Sequence, residues 1–134
     1  AAKIGLPETN LGIMPGAGGT VLLPRIVGRA LAMKMVLTGE PIDAEQALQA
    51  GLIAQVTASG QALSTALILA QKLAGRAPLA LQAAKASIRE AEQLEESVHL
   101  VAERKRFIAL LGSADKAEGI AAFLEKRAPV WRGE

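Results

Sequence analysis

At 134 residues the chain is long enough for one domain with a real core. Its net charge is only +2, from 15 Lys and Arg against 13 Asp and Glu, and aromatics make up 2%, so neither a strongly basic surface nor stacking platforms point to nucleic acid. Cysteine is absent and histidine occurs once, at His99, which argues against a disulfide frame, a thiol nucleophile, a histidine metal cage or a Ser-His-Asp triad within one chain.

Residues 1 to 7 read as extended and end at Leu6-Pro7, where the proline biases its predecessor away from helix. A loop follows, punctuated by Gly12, Pro15 and Gly16. Thr20 to Ile26 is a short apolar turn or two, expected to be cut by Pro24 and closed by Gly28. Arg29 to Leu37 reads as a helix, and Thr38-Gly39-Glu40-Pro41 as a break. Asp43 and Gln46 have the spacing of a reciprocal helix cap, and Gly51 suits the left-handed position that ends such a helix. Leu52 to Val56 is a strand or an extended connector.

From Gly60 onward the pattern is helical. Leu63, Ala66, Leu67, Ala70 and Leu73 form one stripe, Gly75 ends that helix, and Pro78 opens the next. Leu81, Ala84, Ile88 and Ala91 continue the periodicity. Val98, Val101 and Ile108 lie beside a second stripe of Leu100, Phe107 and Leu111, a surface wide enough for contact on two sides. Gly112 breaks the chain, Ser113 caps, and Ile120, Phe123 and Leu124 lie on the last helix.

The apolar fraction is 51% and the mean hydropathy +0.29, high for a domain of this size. Charged and amide residues interrupt every candidate run, so no membrane span is expected, and the first residues lack the pattern of a signal peptide. The preferred reading is apolar surface covered by another chain or by further polypeptide; alanine enrichment is the alternative. A cytoplasmic or organelle-matrix setting fits.

Polar chemistry is concentrated in the first twenty residues. Gly16-Ala-Gly-Gly-Thr20 lacks the lysine of a phosphate loop, and Val21 stands where a dinucleotide fingerprint needs glycine. What remains is a glycine-rich turn that can expose backbone N–H groups to an oxygen, or a tight turn with no ligand. Glu8 precedes it. Partial burial among Leu6, Leu11, Ile13 and Met14 would disfavour its charged form and suit it to proton transfer; a solvated glutamate is the plain alternative.

The segment Ile4-Gly-Leu-Pro-Glu-Thr-Asn-Leu-Gly-Ile-Met-Pro-Gly-Ala-Gly-Gly-Thr20, followed by Leu23-Pro-Arg-Ile-Val-Gly28, closely resembles the enoyl-CoA hydratase/isomerase (crotonase) family. Ala32 to Gly39, Ala44 to Leu52 and Glu118 to Arg127 match it in the same order, so the resemblance runs from Ile4 to Arg127. Val21-Leu22 departs from the Gln-Arg of many members.

The resemblance implies an α/β fold: the end of a crotonase-type β-β-α spiral over residues 1–57, then a helical trimerisation region over 58–134, the chain being mostly α. It implies thioester chemistry in which two backbone N–H groups stabilise an enolate oxyanion. Two glutamates share the proton work of hydration: one activates water, and Glu8 corresponds to the second, which protonates the α-carbon. The Gly16 amide would help hold the water. Pro7 and Leu11 are expected on the substrate side. Phe123 and Lys126 match positions that approach the adenine and phosphates of coenzyme A, with a core aromatic and a solvated charge as their alternatives. Isomerases of the family use the Glu8 position as a proton shuttle. No cofactor is implied beyond the coenzyme A of the substrate.

The first glutamate, its glycine-rich segment and the other oxyanion donor lie upstream of the Pro-Glu motif in the family, outside this chain. The expectation is therefore the C-terminal portion of a hydratase, incomplete as an enzyme by itself, whose complete form is a trimer or dimer of trimers. Two other readings are a non-catalytic oligomerising module and an acyl-CoA binder without turnover.

Overall fold

The extended start finds its partner far along the chain. In a computed structural model describing residues 2–134, β1 (Lys3–Ile4) pairs antiparallel with β2 (Ile42–Asp43), Lys3 opposite Asp43 and Ile4 opposite Ile42. Between them lie a 3-10 turn at Pro7–Leu11 and two helices, α1 (Gly19–Val27) and α2 (Arg29–Thr38). Helix α3 (Ala44–Gln49) follows β2 directly. These elements belong to a compact unit, Ala1–Thr65. Helix α4 (Ala62–Ala74) leads out of it. The unit Ala66–Glu134 also holds α5 (Pro78–Glu90), α6 (Glu96–Leu111) and α7 (Ala114–Leu124).

The core of the first unit is Leu23, Ala32, Met35, Ile42 and Ala47, with Ile4, Leu6, Val36 and Leu52 packed against it. Met35 is 1% exposed. Burying a side chain of that size contributes about 1.5–3 kcal/mol. The caps of α3 form as the spacing predicts. Gln46 N–H donates to Asp43 Oδ1 at 2.8 Å, and Asp43 N–H donates to Gln46 Oε1 at 3.0 Å. At the other end Gly51 N–H reaches Leu48 O, and Leu52 N–H reaches Ala47 O, the paired bonds of a Schellman ending.

One local expectation is corrected. Pro24 does not cut its segment: α1 runs through it from Gly19 to Val27. The bond it cannot make would go to Thr20, which is exposed, so water can solvate that carbonyl while Leu23 enters the core. Of the two readings of Leu52–Val56 the connector holds, and a strand forms at Ile42–Asp43, where the cap of α3 holds the chain extended. The stripe on α4 is not buried: Leu63, Leu67 and Leu73 are exposed, and so are Ile68 and Leu69 on its other side.

In the second unit the inward side of α5 is more polar than its apolar periodicity predicts. Ile88 is exposed and Ser87 is buried. His99 Nε2 lies 2.9 Å from Ser87 O, and Arg106 donates to Ser87 Oγ and to Glu90, so the α5–α6 contact is hydrogen-bonded. Both apolar stripes of α6 are exposed. Ser113 Oγ accepts from Lys116 N–H and caps α7. Buried Asp115 accepts Arg132 N–H at 2.7 Å and Gly133 N–H at 3.0 Å, while Trp131 Nε1–H donates to Gly75 O at 2.9 Å, which fastens the last residues. No helix among the described residues is long and apolar enough to cross a membrane.

Candidate active site

Pro7 sets the first position of the 3-10 turn, where a missing N–H costs nothing, and Glu8 is its second residue. Ile13 N–H donates to Glu8 O and Gly12 N–H to Thr9 O, both at 3.2 Å, which closes the turn. The two residues after Glu8 face α2. Thr9 Oγ1–H donates to Val36 O at 2.9 Å. Asn10 lies against Gly39, whose φ of 67° ends α2; a β-carbon at Gly39 would stand 2.5 Å from Asn10 Nδ2.

Glu8 is half-buried, and its Oε2 is buried with no hydrogen-bond partner among the described residues. An unpartnered buried polar atom costs about 1–3 kcal/mol, more if charged, and marks a place where strain or chemistry has a reason. The expected apolar shell is only partly there. Leu6 is half-buried, but Leu11, Ile13 and Met14 are 61–74% exposed, because the chain runs along the surface before Pro15 turns in. Pro7 is exposed too.

The three glycines of the following loop divide by cause. Gly18 has a φ of 89°, a left-handed value that side chains resist. A β-carbon at Gly19 would approach Pro15 Cβ to 2.9 Å and Leu6 Cδ1 to 3.1 Å. Gly16 has neither reason: its φ lies outside the left-handed region, and a β-carbon there would meet nothing within 4 Å. Its N–H finds no backbone acceptor among the described residues. A glycine the fold does not require suits the close approach of a ligand to backbone.

Phe123 and Lys126 belong to the second unit, at the C-terminal end of α7. Phe123 is 82% exposed, so it is not a core aromatic; it lines an apolar cavity of ≈ 490 Å³ with Phe107, Ile120 and Trp131. Lys126 has a φ of 54°. It occupies the left-handed ending of α7, with Lys126 N–H on Phe123 O and Arg127 N–H on Ala122 O. Arg127 next to it grips both carboxylate oxygens of Glu118, at 2.6 and 2.9 Å, and Val130 N–H adds a third bond. The Arg127 guanidinium first, then the Val130 amide, lower the Glu118 pKa to about 2.

Sequence reasoning did not single out Thr9, Asn10 or Gly39. Thr9 and its acceptor are 27 residues apart, and no local pattern announces such a bond.

A carboxylate with an open buried oxygen, followed by a loop with a free backbone amide, is the equipment of acid/base catalysis on a polarised substrate. The chain belongs to the enoyl-CoA hydratase/isomerase family, whose model of that description matches residues 1–134. It is 52% identical over 132 residues to 2,3-dehydroadipyl-CoA hydratase of Escherichia coli K12, a match covering 98% of this chain and 52% of that protein. With a probable mitochondrial enoyl-CoA hydratase 2 of Arabidopsis thaliana it shares 41%, over 98% and 44% of the two chains. The crystal structure of an enoyl-CoA hydratase from Bacillus anthracis superposes with a TM-score of 0.96 at 36% identity, covering 100% of this chain and 52% of that one. The mostly helical fold is thus a crotonase fold, as the resemblance implied. The chain spans about half the length of the curated relatives it matches.

Proposed function

We propose that this chain carries the proton-donating part of a hydratase that adds water across the double bond of a 2-enoyl-CoA thioester. The other glutamate takes a proton from water, whose hydroxyl joins the β-carbon, and the Glu8 carboxyl gives its proton to the α-carbon, leaving a carboxylate. The observation that carries this reading is the buried Glu8 Oε2 with no partner of its own. The unconstrained Gly16 supports a role for its amide in holding the water. The other glutamate and the oxyanion donors would come from polypeptide outside the chain described here. Exposed Phe123 and Lys126 are proposed to meet the coenzyme A moiety of a thioester held by a neighbouring subunit, while Pro7 and Leu11 lie on the acyl side of the chain's own substrate. The exposed apolar faces of α4 and α6 support a homo-oligomer, with a trimer or dimer of trimers as the proposed form, in a cytoplasmic or organelle-matrix compartment that supplies acyl-CoA.

The test is hydration of a 2-enoyl-CoA by the native gene product, followed by loss of enoyl-thioester absorbance. Glu8→Gln should lower kcat by roughly 10²–10⁴-fold, the usual scale for a positioned acid, with an unchanged melting curve. Turnover at the parent rate in that variant would end the reading.

A further inference from the structure

Glu8 stands on a turn of five residues whose closing bonds are both 3.2 Å long. The residues after it are better anchored than the turn itself. Helix α2 ends at Thr38, and Met35 O is taken by Gly39 N–H at 3.1 Å. The next N–H, that of Glu40, would reach Val36 O if the helix continued, but it donates to Thr38 Oγ1 at 3.1 Å. Val36 O is thereby left as a terminal carbonyl without a helical donor. The Thr9 hydroxyl fills that vacancy at 2.9 Å. Asn10 sits against Gly39, where any β-carbon would collide with its amide.

We propose that Thr9 is a positioning residue for Glu8: its hydroxyl, assisted by Asn10 on Gly39, latches the turn to the end of α2 and fixes where the carboxylate stands. The inference rests on the acid role of Glu8 given above. Thr9 does not touch substrate in this scheme; it acts through Glu8. Displacing a reacting group by about 1 Å costs on the order of a hundredfold in rate.

The experiment uses the native gene product with a 2-enoyl-CoA, below the melting range of every variant. Thr9→Val keeps the shape and removes the donor. The expected result is a fall in kcat of about ten- to a hundredfold, with KM within about a factor of two, and recovery of most of the rate in Thr9→Ser. A role in folding alone would lower the melting temperature without this split. Parent kcat in Thr9→Val overturns the latch, as does a Thr9→Ser variant no faster than Thr9→Val. If Thr9→Val does not fold, Asn10→Ala loosens the other half of the latch and should lose several-fold in kcat; a parent rate there overturns the proposal. Glu8→Gln separates the two levels. At the parent rate it removes the acid reading, whereas an inactive Glu8→Gln beside a fully active Thr9→Val removes only the latch.

Discussion

Replacing Gly16 by alanine sets what the fold needs against what the site needs. The added methyl would have no neighbour within 4 Å, and the backbone there is not left-handed. An alanine in such a place stabilises by about 0.4–1 kcal/mol, because the unfolded chain loses freedom. Gly18→Ala should do the reverse, costing about 1–2 kcal/mol at its φ of 89°. Gly19→Ala should cost about 1–3 kcal/mol, since Pro15 and Leu6 must shift. For units of this size 1 kcal/mol moves the melting temperature by about 4–8 °C, so thermal unfolding would rank Gly16→Ala above the parent and the other two below it. Hydration of a 2-enoyl-CoA should fall in Gly16→Ala by at least about tenfold, because the methyl stands beside the amide assigned to the water. Destabilisation like that of Gly18→Ala would show Gly16 to be structural. Unchanged turnover would remove it from the site.

Three further outcomes follow from the packing. Met35→Ala empties the position of the largest fully buried side chain and should cost about 2–5 kcal/mol in urea unfolding. Asp115→Asn sets an amide donor against the Arg132 or Gly133 N–H and should destabilise by about 1–3 kcal/mol, with a changed emission from Trp131, the chain's single tryptophan. Acid should loosen the Glu118–Arg127–Val130 clamp. The folded pKa of Glu118, about 2, lies below its ordinary 4.5, so the clamp's contribution is complete above pH 4.5 and is lost as pH falls toward 2. Trp131 emission that stays constant through that window would refute the link, since Val130 is bonded to Glu118 and the Trp131 ring lies against Gly119.

What could be read from the sequence was whatever is decided within a few residues. Asp43 with Gln46, Gly51, Pro78 and Ser113 act on their own helix ends, and each does what its spacing implies. Periodicity was less informative about burial. It marks the face of α4 that is apolar, but a face is buried only where something covers it, and Leu63 and Leu67 stay exposed. On α5 it pointed to Ile88, while the contact with α6 is made through Ser87 and Glu90 to His99 and Arg106, polar groups that apolar spacing ignores. For the site, Glu8 and the glycine-rich turn stood out by residue type and spacing, and the roles of Glu8 and Gly16 came from motif resemblance. The reason Gly16 differs from Gly18 and Gly19 is three-dimensional, and so is the bond from Thr9 to Val36.

Lys126 has a further consequence for anyone optimising this chain. A lysine held at φ 54° is less stable than glycine there by about 1–2 kcal/mol, and glycine would complete the same helix ending without the steric conflict. The ammonium it carries sits where the helix dipole and, on the proposed reading, a phosphate both favour a cation. A screen rewarding heat resistance alone would therefore favour Lys126→Gly and discard part of the ligand's grip with it. On that reading, durability and affinity pull on one backbone position in opposite directions.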